Sequence, residues 1–351
     1  MAAGTGLGSF VGTAPETVWG TAVAATAYNR YVSQDFVPNS DETPGDESLG
    51  IAFTASKDIY HKRMEGSITF DSRYQGLDRW LKNLFGAPTS TNGSGADAGA
   101  YTHVYTLKTA RPVGMTMELH LEIMKCIVAG LKLNKLSAAM GVGIQRLTFS
   151  GIGKAVASPP GSAATGVTFV EDVSGITPVK AIESGSPAAV PGTPAVNDGF
   201  TLGIGTAGTF GSPTFYCSQE PATINIEAPL KTDDICLGDP GLAEPTLNGK
   251  FAVSGAFPRQ LVDDDFIEHF NGNDAVYLRM KYCGPGPVIP AGATFYTWQW
   301  DIPYARIKKA LGPVANAGAI IEQVEWLASP PTGVSADCMS LTVVNKLTAV
   351  T

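Results

Sequence analysis

One short segment with strict alternation of apolar and polar residues constrains the fold most. Every second residue of 115–123 is apolar, and the residues between them are Thr116, Glu118, His120 and Glu122. A period of two places these sets on opposite faces of a β-strand. The segment therefore predicts a strand with one apolar and one polar face.

Other segments predict further strands and two short helices. Strand patterns cover 65–71, 125–135, 144–150, 275–282, 294–301 and 319–327. Apolar residues recur at helical spacing from Leu77 to Phe85. A second helix, Val262–Phe270, carries three consecutive acids near its start, where the helix dipole favours negative charge. We therefore predict a mainly β chain with one short α-helix in each half.

The second half of the chain repeats the first in outline. Met64–Phe70 is echoed by Leu247–Val253, and a short helix follows both segments. Residues 131–136 and 302–309 each lead through a Gly-containing turn to another strand. We interpret this order as an internal duplication, with a first module at 1–154, which begins with an extended arm, and a second at 219–351.

The segment 155–218 between the two modules differs from both in composition. It is poor in charge and rich in Gly, Ala, Ser and Pro. Short strand-like runs occur at Val167–Val170 and Phe200–Ile204. We predict an insertion or linker with some β structure of its own.

Composition and charge exclude several classes of protein. Only 16% of residues are charged, against roughly 25% in an average domain, which suits a protein buried against copies of itself. The net charge of -8 argues against a nucleic-acid binder, which needs basic patches. The five Cys form no CxxC pair, no signal peptide is apparent in 1–20, and no apolar run reaches bilayer length. We expect a protein made in a reducing cytoplasm, with no membrane contact.

No set of residues converges on a reaction. His120 between Glu118 and Glu122 would fit a metal or acid/base face, but a polar face turned to solvent or to an interface explains it better. Tyr296, Trp298 and Trp300 share one strand face, which would fit a carbohydrate platform or, as we favour, a packed sheet. We predict no enzyme, no metal and no cofactor.

Three segments resemble the major tail tube proteins of long-tailed, siphovirus-type bacteriophages. They are Pro15–Ala22, the strand Glu65–Phe70 with its following helix, and the pair formed by 130–135 and 145–151. The resemblance covers most of 10–154 and, through the repeat, about 245–328, but not 155–218. It implies tandem tail-tube-like β-sandwich or partial-barrel modules, each with a short flanking α-helix. In that family about six modules join edge to edge into a ring, and the rings stack around a lumen that passes DNA.

The resemblance also implies a function, partners and a location. The chain is expected to be a structural virion protein of the phage tail, assembled in the bacterial host cytoplasm. Its partners are expected to be itself, the tape measure protein, and the tail terminator and distal tail proteins, while DNA transits without specific binding. With the duplication, three chains make a pseudo-sixfold ring; without it, six are needed. The alternatives are another tail component, such as a terminator or baseplate ring, a secretion-system tube, a carbohydrate-binding β-sandwich, or a hydrolase with an unseen site.

Several residues receive expected roles within that tube. The loop Tyr28–Ser56 is expected to contact the next ring, because it is too long for a mere connection. The candidate acids facing the lumen are Asp71, Glu118, Glu122 and Glu322. The candidate packing or interface aromatics are Trp19, Trp80, Trp298, Trp300 and Trp326.

Overall fold

The computed structural model describes residues 8–44, 57–121, 124–141, 143–156, 169, 179, 200–211, 213–216, 221–233, 242–261, 263–290, 292–310, 320–330 and 337–347. The helices in these ranges are α1 (Asp78–Phe85), the short 3₁₀ helix η1 (Gly95–Asp97) and α2 (Asp265–Gly272). The strands of the N-terminal half are β1 (Phe10–Pro15), β2 (Ala27–Asn29), β3 (Ser33–Gln34), β4 (Val37–Pro44), β5 (Lys57–Asp71), β6 (Thr89–Asn92), β7 (Tyr101–Thr106), β8 (Met115–Leu121), β9 (Met124–Met140) and β10 (Arg146–Val156). The strands that follow are β11 (Phe200–Thr206), β12 (Thr214–Tyr216), β13 (Ala222–Glu227), β14 (Leu230–Lys231), β15 (Thr246–Leu247), β16 (Ala252–Gln260), β17 (Ala275–Pro287), β18 (Phe295–Lys309), β19 (Ile321–Ala328) and β20 (Ser340–Asn345).

The strand-rich fold predicted from the sequence is confirmed. Eighteen strands belong to one sheet system, β14 and β15 form a separate pair, and neighbouring strands run antiparallel. α1 and α2 lie where the helical patterns predict them. Neither helix, nor any other in the described ranges, combines the length and apolar character needed to cross a bilayer.

The same order of strand pairing occurs twice along the chain. In the first strand set the order is β2, β1, β8, β9, β10, β5, β4. In the second strand set the order is β12, β11, β17, β18, β19, β16, β13. In both sets a helix follows the sixth strand of this order, which is β5 in the first set and β16 in the second.

Irregularities of the sheet recur at corresponding positions. The β8–β9 register shifts between Met115 and Met117, and the β17–β18 register shifts between Val276 and Leu278. A second bulge skips Asn134 of β9 opposite β10, and its counterpart skips Lys308 of β18 opposite β19. Because a bulge bends a strand and turns its side chains, the two sets share local curvature as well as topology.

A glycine under an aromatic ring also recurs. Gly12 of β1 pairs with Tyr28, and Gly203 of β11 pairs with Phe215. A Cβ atom on Gly12 would lie 2.9 Å from the Tyr28 ring, and one on Gly203 would lie 3.2 Å from the Phe215 ring. Each hairpin therefore uses the space left by the missing side chain to seat a ring.

The hydrophobic core runs through both strand sets. α1 packs Trp80 against Phe70 of β5 and Phe149 of β10, with ring centroids 4.9 and 5.6 Å apart. α2 buries only Phe266, whose ring centroid lies 5.5 Å from that of Phe257 on β16. The helix of the first set is thus a core element, whereas that of the second lies at the surface.

A C-terminal strand ties the two sets together. β20 pairs with β18 on one side and with β7 on the other. His103 of β7 is fully buried, with Nδ1 2.7 Å from Ser90 Oγ and Nε2 3.2 Å from Asn345 Oδ1. Asn345 in turn donates to Tyr74 O at 3.1 Å. This buried network fixes the C-terminal strand against the first set.

The structure corrects the prediction of a long loop at Tyr28–Ser56. Residues 28–44 are not part of a long loop, because β3 and β4 pair with β5; residues 45–56 lie outside the described ranges. Residues 89–92 form β6, which pairs with β7.

Parts of the expected linker 155–218 belong to the sheet. Phe200–Thr206 is β11, paired along its length with β17 of the second set. Phe169 forms an isolated bridge with Tyr28, and the rest of Val167–Val170 lies outside the described residues. The C-terminal part of this segment therefore contributes to the second set.

Candidate assembly surfaces

The two strand sets join edge to edge through β9 and β13. Residues 135–140 pair antiparallel with residues 222–227. On the outward side Lys135 and Glu227 form an ion pair at 3.0 Å, and Ser137 Oγ donates to Asn225 Oδ1 at 2.8 Å. The opposite side is apolar and buried, with Leu136, Ala138, Met140, Ala222, Ile224 and Ile226. The junction is therefore built like the interior of one continuous sheet.

A continuous polar face crosses this junction. Register partners place outward side chains in three transverse rows over β5, β10, β9, β13, β16 and β19. We call this surface the hydroxyl face. Its residues are Asp71, Arg146, Ala139, Thr223, Ala256, Glu325 and Lys309 in the first row, Thr69, Thr148, Ser137, Asn225, Ser254 and Leu327 in the second, and Ser67, Ser150, Lys135, Glu227 and Ala252 in the third. All are partly or fully exposed.

Two edges of this surface have no neighbouring strand within the described part of the chain. At one end, Ile307–Lys309 of β18 pairs with β19 but extends beyond the last residue paired with β17. At the other end, β3 and β4 pair with β5 on one side only. Lys308, Lys309, Pro38 and Pro44 lie on these edges, and such residues hinder unspecific strand pairing.

The two edges correspond to the two strands of the internal junction. Lys309 follows the same bulge in β18 as Lys135 does in β9. Asn39 pairs with Arg63 of β5, just as Glu227 pairs with Ala252 of β16. The described chain thus contains one closed junction and two edges whose residues correspond to the two strands of that junction.

The candidate lumen acids fall into different environments. Asp71 lies on the hydroxyl face, its side chain is 36% exposed, and its Oδ1 is 3.3 Å from Arg146 Nε. Glu122 lies outside the described residues. Asp71 is therefore the described candidate whose position agrees with the expected role, which stays a prediction.

The polar face predicted for 115–123 is covered, so Glu118 does not reach an open surface. Glu118 is buried and lies 3.2 Å from His120 Nε2 and 3.3 Å from Lys125 Nζ. Ala25 N donates to it at 3.2 Å, and Val23 N donates to Thr116 Oγ1 at 2.9 Å. Burial lowers the pKa of His120, against the opposing effect of Glu118. The segment that follows β1 therefore closes over this face and makes it part of the interior.

Glu322 also fails to fit a lumen position. Its side chain is 0% exposed, and its Oε2 accepts from Arg259 Nε at 2.7 Å. Arg259 also donates to Asp263 Oδ1 at 2.8 Å and lies over the Phe266 ring at 4.2 Å. Burial pulls the pKa of Arg259 down, but Glu322 and Asp263 outweigh it, and the pKa lies above its usual value. Glu322 is an internal ion-pair partner.

Four of the five candidate tryptophans pack inside a single chain. Trp80, Trp298, Trp300 and Trp326 are each at most 1% exposed. They have no surface left to offer to another copy. Trp19 is half-buried, and its Nε1 donates to Gly130 O at 2.9 Å.

A buried carboxylate in the N-terminal segment was missed by the sequence reasoning. Glu16 Oε1 accepts from Thr116 Oγ1 and from Gly130 N, both at 2.7 Å, and its Oε2 accepts from Gly20 N at 2.8 Å. Gly130 has a φ of 65°, and a Cβ there would lie 2.5 Å from Trp19 Nε1. Glu16 and Trp19 thus anchor the segment after β1 on a bulge of β9.

The described residues contain no cluster of three or more His, Cys, Asp or Glu side chains that could hold a metal ion. Repeated strand pairing, a closed junction and two matching edges are instead the features that distinguish these residues. Such features are suited to assembly.

The match to a known protein family agrees with this interpretation. The family model described as phage tail tube protein matches residues 6–328. No curated protein sequence matches the chain. A crystal structure of Hcp protein is similar over 37% of this chain and 87% of its own, at 10% identity and a TM-score of 0.22. A doubly substituted Hcp1 protein from the E. coli EAEC 042 pathovar matches over 36% and 85%, at 12% identity and a TM-score of 0.21.

Proposed function

Because the chain belongs to the phage tail tube protein family, we propose that each copy supplies two wall modules and that three copies close into one ring of the tube. The chain is a structural protein of the phage tail tube and hence a component of the virion. The proposed modules are the first and second strand sets. Three chains would then form a ring of six similar modules.

The β9–β13 junction is the observation that carries this proposal. It joins the two sets with paired backbones, a buried apolar side and an outward ion pair. The same contact, made between chains, would place the β3–β4 edge of one copy beside the end of β18 of the next. Ring closure would give the backbone N–H and C=O groups of both edges hydrogen-bond partners, as closure does in a β-barrel.

Charge supports this pairing of edges. The β3–β4 edge carries Asp35, Asp41 and Glu42, and the end of β18 carries Lys308 and Lys309. Asp41 and Lys309 also form ion pairs within the chain, with Arg63 and Glu325, so Lys308 is the main base of its edge. Opposite charges on two edges favour their encounter and disfavour pairing of like edges. The correspondence of positions places Lys309 of one copy opposite Asn39 of the next.

Several consequences follow for assembly and partners. Rings would stack into a tube in the cytoplasm of the bacterial host, around the tape measure protein, and the tube would end on the tail terminator and distal tail proteins. DNA would pass through the lumen without being bound. The hydroxyl face would line the lumen, because both helices lie on the other side of the sheet, where a closed ring has the larger circumference.

Disulfide cross-linking tests the ring directly. We expect the double variant Lys309→Cys/Asn39→Cys to give covalent species of two and three chains after oxidation of assembled tubes. Paired strand positions meet the distance requirement of a disulfide. A ladder that ends at three chains supports the ring, whereas rungs up to six chains would replace it with a hexamer.

Two variants provide the controls. Lys135→Cys/Glu227→Cys should form its disulfide inside one chain and add no larger species. Lys309→Cys/Asp41→Cys is out of register by two residues and should cross-link much less. Equal cross-linking of the matched and shifted pairs would contradict the proposed register.

A further inference from the structure

The charges on the hydroxyl face occur as cross-strand pairs. Arg146 lies beside Asp71 at 3.3 Å, and Lys135 beside Glu227 at 3.0 Å. Lys309 lies beside Glu325 at 2.9 Å. Each of these three bases has its acid on the neighbouring strand, whereas Arg306, in register with Leu327 at the end of the second row, donates to Asn273 O at 2.8 Å.

The remaining side chains of the hydroxyl face are short and neutral. The central row is made almost entirely of Ser, Thr and Asn, and several of these residues bond to each other. Thr69 Oγ1 lies 2.9 Å from Thr148 Oγ1, and Ser137 Oγ donates to Asn225 Oδ1 at 2.8 Å. The residues of this row on β5, β10, β9, β13, β16 and β19 carry no charge, and Arg306 of β18, next in register, donates to Asn273 O.

Electrically this surface differs from the chain as a whole. The full chain carries a net charge of -8, whereas each of the three ion pairs on the hydroxyl face sums to zero. An unpaired Lys or Arg would hold a phosphate, because it releases the counterions of the polyanion. An acid 3 Å away removes that attraction and leaves only a local dipole.

We propose that the hydroxyl face is a charge-compensated wall for a double-stranded polyanion, and that Asp71, Glu227 and Glu325 serve to mask Arg146, Lys135 and Lys309. This inference rests on the proposed function, which places the face in the lumen. The acids are therefore there to cancel bases, and the wall offers the passing DNA neither an adhesive site nor a strong repulsion.

The inference makes an asymmetric prediction. Asp71→Asn/Glu227→Gln/Glu325→Gln unmasks three bases, and the unassembled variant should bind duplex DNA at least about tenfold more tightly than the wild type at low salt. That binding should fall steeply as salt is raised. Phage carrying the variant should form tails of normal length and eject their genomes more slowly.

The matched control removes the bases instead. Arg146→Met/Lys135→Met/Lys309→Met breaks the same three pairs but leaves acids, so DNA binding of the unassembled protein should stay at the wild-type level. The double variant Arg146→Met/Lys135→Met, which keeps Lys309 at the proposed ring edge, should eject its genome at the wild-type rate. Equal effects of the two triple variants, or no DNA binding by the variant without acids, would overturn the masking role.

Labelling separates this inference from the proposed function. Ser137→Cys should react with a bulky maleimide polymer before assembly and be protected within tubes. Reaction of Ser137→Cys in intact tubes would place the face outside and overturn the inference while leaving the tube in place. If the wild-type protein forms no tubes at all, the proposed function itself fails.

Discussion

The two strand sets bury chemically different pairs of side chains beneath their helices. In the first set Phe70 of β5 pairs with Leu147 of β10. At the corresponding place in the second set, Arg259 of β16 pairs with Glu322 of β19. Both pairs are buried. One backbone arrangement therefore accepts either an apolar pair or an ion pair, but only the ion pair depends on both members being present.

The connection after each helix differs as well. Residues 86–114 separate α1 from β8, whereas only Asn273 and Asp274 separate α2 from β17. The longer connection forms the β6–β7 pair and places β7 against α1, and Arg111 donates from Nη2 to Asn83 O at 2.8 Å. Burial lowers the pKa of Arg111 to about 10.

The second set leaves the equivalent space open. A groove of about 550 Å³ lies beside α2, while the space beside α1 measures about 30 Å³. Phe270 of α2 is 47% exposed. The two modules therefore share one sheet geometry, although only the first has a connection such as residues 86–114 packed beside its helix.

Removal of one member of the buried ion pair should have the largest effect. Glu322→Ala leaves Arg259 without its main partner, and we expect the free energy of unfolding to fall by about 3–5 kcal/mol. Urea denaturation followed by tryptophan fluorescence measures this change. Glu325→Ala, on the same strand but in an exposed pair, should cost less than about 1 kcal/mol.

A transplanted pair sharpens the comparison. Arg259→Phe/Glu322→Leu copies the apolar pair of the first set and should recover most of the loss, because neither a charge nor a cavity remains. A double variant as unstable as Glu322→Ala would show that the two sites are not interchangeable.

The next effect concerns the bulge that anchors the N-terminal segment. Gly130→Ala forces a side chain into a left-handed conformation and towards the Trp19 indole. We expect a loss of about 1–3 kcal/mol and greater acrylamide quenching of Trp19. The corresponding bulge of the second set contains Tyr304, whose φ is not positive, so Tyr304→Ala should not release a segment in this way.

Much of this comparison could be predicted from local patterns. The strands β5, β8 to β11 and β16 to β19, both helices and the repeated order follow from periodicity, because each pattern lies within one element. Side chains alternate between the two faces of β19, so Glu322 lies on the same face as Val324 and Trp326. This alternation alone identifies Glu322 as internal. The prediction that Glu322 faces the lumen did not take Val324 and Trp326 into account.

Contacts between distant segments could not be predicted in the same way. Glu118 lies on a strand with clean alternation, yet the segment after β1, more than 90 residues earlier, covers its polar face. The buried role of Glu16 depends on a bulge at Gly130 that no local pattern encodes. Such cover and such bulges arise only when strands meet, so one sequence gives no periodic signal for them.

A smaller effect is expected where the C-terminal strand ties the sets together. His103→Ala removes the hydrogen bonds of its ring to Ser90 Oγ and to Asn345 Oδ1, and we expect a loss of about 1–3 kcal/mol. Hydrogen exchange should quicken in β20 before it does in β9. His269→Ala, at the partly exposed end of α2, is the control and should leave both strands unchanged.

The smallest effect tests whether the junction between the sets is as well formed as a strand pair within one set. Thr69–Thr148 lies inside the first set, and Ser137–Asn225 crosses the junction in the same row. Double-mutant cycles with Val at the threonines and Ala at the other two positions should give coupling energies of about 0.2–1 kcal/mol for both pairs. Similar coupling energies would mean that the strand register is as well defined across the junction as within the first set. The junction could then serve as a model for the contact between chains. Coupling at Thr69–Thr148 alone would show instead that the two sets shift independently, and the junction could not then serve as a model for ring closure.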